Sequence, residues 1–229
     1  MHVPDGFLDA PTSLATGAVA AAGVALALRA ARRELDDRTA PMAGLVATFV
    51  FAGQMLNFPV GAGTSGHLLG GALAAVLVGP ATAVLCLSVV LLVQALLLAD
   101  GGITAIGTNI TLMALVGVLV GWLGFRVCQA LLPRTLRAVP VAAALAAGLS
   151  VPVVALVFSL LFVVGGTAPI DADTLIAVMV SWHLVIGLGE ALITGLVVAS
   201  VVGVRPDLVY GARRVAADQR LLITKGAAG

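Results

Sequence analysis

Charge is what this sequence has least of. Only 10% of its 229 residues are Asp, Glu, Lys or Arg, against about 25% in a typical soluble domain, while 61% are hydrophobic. Too little polar surface remains to coat a water-soluble globule, so the chain reads as an integral membrane protein. A net charge of +1 excludes a strongly basic nucleic-acid binder. The two cysteines, Cys86 and Cys128, lie inside apolar runs and read as small packing residues, not as a disulfide framework or a CxxC metal site. Aromatics make up only 4%; Ala, Val, Leu and Gly dominate, a composition that lets membrane helices approach closely. There is no GxxxxGK[ST] phosphate loop, which argues against ordinary ATP binding. The lack of HExxH and GxSxG argues against an intramembrane metalloprotease or a serine hydrolase. The lack of an arginine-rich span argues against a voltage sensor, and no repeat of 20–50 residues divides the chain.

What is present is a series of apolar stretches over 13–31, 42–60, 67–79, 81–99, 104–125, 139–165 and 174–203. A helical span takes roughly 20 apolar residues, and all but the third are long enough to cross unaided. Gly79-Pro80 separates the short third from the fourth, and proline there predicts a helix break. Charge decides whether 67–99 is one span or two. The basic residues fall into three groups: Arg29, Arg32, Arg33 and Arg38; Arg126, Arg134 and Arg137; Arg205, Arg213, Arg214, Arg220 and Lys225. Seven spans put all three on one face, which the positive-inside rule makes cytoplasmic; six would put the middle group outside. The other face then holds Asp5, Asp9, Asp100, Asp171 and Asp173. The expectation is an all-α plasma-membrane bundle of seven transmembrane helices, N-terminus outside and C-terminus cytoplasmic. It forms one domain over 1–203 and a basic tail over 204–229. The first ten residues carry two Asp and no basic residue, the reverse of a secretory signal. Met1 is expected to be retained because His2 is large.

Three histidines are present. At His2, a free α-amine, the following amide nitrogen and the imidazole Nδ1 can close fused chelate rings, giving three nitrogens in one plane. A fourth would complete a square that suits Ni(II) or Cu(II), with Co(II) also open. The competing reading is a mobile terminus with an incidental histidine. His67 ends the glycine-rich stretch Gly61-Ala-Gly-Thr-Ser-Gly-His67 on the same outer face; Asn57, Thr64 and Ser65 could orient it as a ligand. Its alternative is a helix-start histidine bonded to a neighbouring carbonyl. His183 and Glu190, seven apart, share one face of the last helix. They form either a proton relay or polar lock, or plain helix–helix glue satisfied by groups such as Gln54, Gln94 or Asn109. The glue reading is preferred.

Met1-His-Val-Pro-Asp-Gly-Phe-Leu8, Asn57-Phe-Pro-Val60, Gly63-Thr-Ser-Gly-His-Leu-Leu-Gly70, Gln94-Ala-Leu-Leu-Leu-Ala-Asp-Gly-Gly-Ile103 and the run from His183 to Thr194 resemble the CbiM/NikM family. These are substrate-binding (S) components of energy-coupling-factor transporters for cobalt and nickel. The resemblance implies a non-enzymatic subunit without a resident cofactor, holding a transported Ni(II) or Co(II). Its donors would be the Met1 amine, the His2 amide nitrogen and imidazole, and the His67 imidazole. The N-terminal segment 1–10 would be tucked into the outer face. It further implies a transmembrane T component and two ATPase subunits as partners, with a small accessory membrane subunit in place of a fused domain, and no nucleic acid. Small-residue pairs such as Ala18 with Ala22 and Ala43 with Ala47 could dock the T component. The rival reading is a self-sufficient, proton-coupled divalent-cation carrier working through His183 and Glu190.

Overall fold

The computed structural model describes residues 1–35, 40–61 and 64–218; Arg38, Arg220, Lys225 and the last part of the expected tail lie outside the described residues. Among the described residues, five helices are long and apolar enough to cross a membrane: α1 (Ala10–Ala31), α4 (Pro80–Leu97), the continuous helix Ile106–Leu131, α7 (Ala138–Gly165) and α8 (Ala172–Val204). The third of these runs as α5 (Ile106–Asn109), a π-helical segment (Ile110–Val116) and α6 (Gly117–Leu131). Two shorter helices complete the bundle, α2 (Ala40–Gln54) and α3 (Gly71–Val78). At about 1.5 Å per residue, α3 reaches only about 12 Å of the roughly 30 Å hydrocarbon layer.

Two expectations need correction. The stretch 42–60 is not one apolar span, because α2 stops at Gln54 and the chain turns into a small antiparallel hairpin. Its strands are β1 (Phe58–Gly61) and β2 (Thr64–Gly66), with Pro59 opposite Ser65. Pro59 cannot continue a helix, so the bundle is helical but not purely so. The stretch 67–79 is helical only over Gly71–Val78, and every residue of that helix is buried. The predicted break is present: Gly79 takes φ +96°, open to glycine alone, and Pro80 occupies the first turn of α4.

Local chemistry fixes the helix ends. Asp9 and Asp171 cap α1 and α8, accepting from Thr12 N (2.9 Å) and Thr174 N (2.9 Å). Glu34, just past α1, caps a different helix: its carboxylate accepts from Ala81 N (3.1 Å), Thr82 N (2.7 Å) and Thr82 Oγ1 (3.0 Å) at the start of α4. Packing is tight where side chains vanish; a Cβ on Gly187 of α8 would meet the Gly148 carbonyl oxygen of α7 at 2.6 Å. The apolar surface points outward: Leu184, Leu188, Leu192 and Leu196 of α8 are exposed, whereas His183, Gly187, Glu190 and Thr194 are buried.

Contacts sort the helix ends into two groups. In one, the N-terminal segment lies across the ends of other helices: Gly102 N donates to Val3 O (2.9 Å), Asp9 N to Gly165 O (2.7 Å) and Thr167 N to Phe7 O (3.1 Å). In the other, Glu34 meets the start of α4, and Gln129 Nε2 near the end of α6 donates to Gly211 O (2.9 Å) beyond α8. This second group surrounds a cavity of about 270 Å³ whose lining includes Arg33, Arg126, Arg213 and Arg214.

Candidate metal centre

The first eight residues are tied to the bundle by main-chain hydrogen bonds and buried side chains. Pro4 and the Asp5-Gly6 turn, with Gly6 at φ +71°, fold Phe7 back onto Phe158 and Phe162 (ring centroids 5.6 and 5.1 Å). Asn109 grips both sides of Val3, its Oδ1 accepting from Val3 N (2.7 Å) and its Nδ2 donating to Val3 O (3.1 Å). Met1, Val3 and Phe7 are all buried, and full burial of side chains of this size contributes about 1.5–3 kcal/mol each. Gly102 leaves the necessary space: a Cβ there would meet the carbonyl carbon of Pro4 at 2.7 Å.

This anchoring brings His2 over His67, with ring centroids 4.5 Å apart and planes inclined by 27°. His2 Nε2 lies 3.1 Å from Gln94 Oε1. Its Nδ1 lies 3.2 Å from Asp100 Oδ1, yet the pair is not aligned as a hydrogen bond and the nitrogen is left without one. The His2 ring beside it holds the Asp100 carboxyl below the usual range.

His67 is fully buried, on the turn between β2 and α3. Its Nδ1 lies 2.8 Å from Leu68 O; a carbonyl only accepts, so Nδ1 carries the proton and Nε2 is a bare lone pair. That Nε2 is buried without a partner. Glu190 fixes the loop from α8, accepting from Leu69 N (2.6 Å) and Gly70 N (2.8 Å), while Gln54 Nε2 donates to Leu69 O (2.8 Å). Gly70 sits at φ +76°, which restricts that turn to glycine.

Burial also sets the protonation of the donors. The Met1 amine is pushed from 8.0 down to about 4, the loss of hydration outweighing the pull of Asp100. His67 is held well below its ordinary 6.5, first by burial and then by the nearby amine and His2. Both nitrogens therefore present free lone pairs at neutral pH. Buried nitrogens without hydrogen bonds are rare and call for a reason; among the side chains of the described residues they are His2 Nδ1, His67 Nε2 and His183 Nε2. Among the described residues, no three His, Cys, Asp or Glu side chains come together to hold a metal.

Of the residues singled out from sequence, Met1, His2 and His67 are brought together. Asn57 is not; it is exposed in the loop after α2. Ser65 is half-buried in β2, and the side chain of Thr64 lies outside the described residues. His183 Nδ1 is satisfied by Met179 O (2.7 Å). Glu190 is satisfied by main-chain amides of the His67 loop rather than by Gln54, Gln94 or Asn109. Those three instead serve the terminus and the loop, as Asp100 does. The available signal was their polarity within or beside otherwise apolar helices.

Five apolar spans packed around such a pocket define a multi-pass membrane protein. Residues 2–208 match the CbiM family, the cobalt uptake substrate-specific transmembrane region. A protein of Haloquadratum walsbyi named for metal transport is 38% identical over 210 residues, covering 92% of this chain and 94% of its own length. The fused nickel transport protein NikMN of Rhodobacter capsulatus is 43% identical over 120 residues, 52% of this chain and 35% of that one. The crystal structure of a truncated transition metal transporter superposes with a TM-score of 0.82 at 30% identity, covering 89% of this chain and 99% of the other. The chain belongs to the CbiM family of cobalt and nickel transport components.

Proposed function

We propose that this chain is the substrate-capture subunit of an ATP-driven, energy-coupling-factor importer for Ni(II) or Co(II). The ion is held by the Met1 amine, the His2 amide nitrogen, His2 Nδ1 and His67 Nε2. The observation that carries the reading is the pair of buried, unpartnered imidazole nitrogens, one on each of two stacked rings, beside an amine that burial keeps neutral. Charge supports it: a divalent ion, an ionised amide and the Asp100 carboxylate sum to zero in a buried site. Four nitrogens suit Ni(II), and Co(II) remains within the same donor chemistry.

The two groups of helix ends support seven passes, with α3 and α4 as one descending and one returning limb. The arginine-lined cavity supports a cytoplasmic assignment for that end, and with it an outer position for the metal donors. In this reading a T component and two ATPase subunits supply the energy, and a small accessory membrane subunit joins them, the partner set that the resemblance to the CbiM/NikM family implies. Ala18 and Ala22 are exposed on α1 and free to meet the T component, whereas Ala43 and Ala47 pack against the core.

The test is an extension of the terminus. One or two residues before Met1 leave every side chain intact but turn the amine into an amide and force bulk into a closed pocket. Such a protein should fold and bind neither ion, while a C-terminal extension leaves binding unchanged. Equal binding by both would remove Met1 from the donor set. Ion accumulation in liposomes by the chain alone would favour the proton-coupled carrier instead.

A further inference from the structure

Two amide side chains lie between the terminus and the His67 loop without belonging to the donor set. Gln94 of α4 and Gln54 at the end of α2, both fully buried, join end to end. Gln94 Nε2 donates to Gln54 Oε1 (3.0 Å) and Gln54 Nε2 donates to Leu69 O (2.8 Å). The direction of this chain is set from one end. Leu69 O is a main-chain carbonyl and can only accept, so Gln54 must turn its NH2 group toward it. Gln54 then shows its oxygen to Gln94, and Gln94 in turn shows its own oxygen to His2 Nε2 at 3.1 Å. Rotating Gln54 by half a turn would set oxygen against oxygen at 2.8 Å. His2 therefore meets an acceptor at Nε2. A second acceptor, Asp100 Oδ1, stands 3.2 Å from Nδ1 and competes for the same proton.

We infer that Gln94 and Gln54 are positioning residues that hold the His2 ring in its Nε2–H tautomer against the pull of Asp100, so that Nδ1 keeps an open lone pair. The functional meaning of the relay rests on the metal-capture reading above; the tautomer itself is a property of the metal-free protein. The relay also joins the two arms of the site. Its far end is the carbonyl of Leu69, two residues past His67, and the amide of that same residue is held by Glu190. If the His67 loop moves away, Gln54 loses the acceptor that orients it, both amides are free to reverse, and the proton of His2 can pass to the Asp100 side. The seated loop thus sets the tautomer of a ring that it does not hydrogen-bond.

The test is nitrogen NMR of the histidine rings in the metal-free, full-length protein in micelles at pH 8. Neutral imidazoles there report which nitrogen carries the proton, and the His67 and His183 signals report that the fold is kept. His2 should be the Nε2–H form. Gln94→Leu should convert it to Nδ1–H, with Asp100 as the remaining acceptor. Gln54→Leu, which does not touch His2, should give a mixture, and Gln94→Glu should keep Nε2–H. Adding Asp100→Asn to Gln94→Leu should return a mixture. Ni(II) affinity should fall about 10- to 100-fold in Gln94→Leu, as it does for other groups that orient metal-binding histidines. An Nδ1–H form in the unsubstituted protein, or a tautomer unmoved by Gln94→Leu, would overturn the inference. A tautomer that moves as described while Ni(II) affinity stays constant would uphold the relay and remove His2 Nδ1 from the donor set.

Discussion

Raising the pH from 7 to 8 should strengthen Ni(II) binding about 10-fold and no more, since metal must displace a proton from each donor that carries one. An exposed α-amine, with a reference value near 8, would be largely protonated at pH 7. Burial pushes the Met1 amine down to about 4, so its lone pair is already free. His67 is likewise held well below 6.5. Neither the amine nor His67 has a proton to release in this window, whereas the His2 amide nitrogen does, and one proton means about tenfold per pH unit. If the amine kept a reference value near 8, its own release would raise the gain over the same unit to about 55-fold. Ni(II) titrations at pH 7, 7.5 and 8, with calorimetry in two buffers of different ionisation heat, count the protons directly. Two protons would refute the buried neutral amine, and none would refute ligation by the amide. The metal-free protein should follow the same sign. Between about 4 and 8 the undocked terminus binds more protons than the docked one. Docking should therefore strengthen as pH rises through that window, level off above about 8, and weaken as pH falls toward 4.

Four further outcomes follow from named contacts. His67→Ala should abolish tight Ni(II) and Co(II) binding in titrations, whereas His183→Ala should leave most of it; equal losses would contradict the donor assignment. Glu190→Gln presents an NH2 group to the Leu69 or Gly70 amide and removes a charge-assisted hydrogen bond worth about 1.5–3 kcal/mol; Ni(II) affinity should drop about 10- to 100-fold with all four donors intact. Gly102→Ala places a methyl against Pro4 and Asp5; the terminus should become accessible to amine-reactive label and binding should be lost without loss of helicity. Glu34→Ala strips three hydrogen bonds from the start of α4; thermal melting should show about 2–4 kcal/mol less stability.

The long apolar runs and the break at Gly79-Pro80 were legible because hydrophobicity and proline act locally. The end of α2 was not: Leu56, Phe58 and Val60 keep the run apolar, and only pairing with residues 64–66 makes it a strand. At the site, Met1, His2 and His67 stood out through rarity and position. Asn57 misled because nearness in sequence to the His67 loop does not place it in the pocket. The partners that matter lie far away in sequence, with Gln94 92 residues from His2 and Asn109 106 residues from Val3. Such contacts are made by tertiary packing, and a single sequence shows them only as stray polar residues in apolar surroundings.

The enclosure of α3 bears on how the chain is made. Eight residues cannot partition into a bilayer as an independent span, and the main-chain amides at its entrance cannot be left unpaired in hydrocarbon. Their acceptor, Glu190, is synthesised about 120 residues later than Leu69 and Gly70. Until the last helix has entered the membrane, the amides of Leu69 and Gly70 lack the acceptor that pairs them. The pocket is therefore a product of completed synthesis: a chain cut short before α8 would keep His2 and His67 but lack the carboxylate that seats the His67 loop.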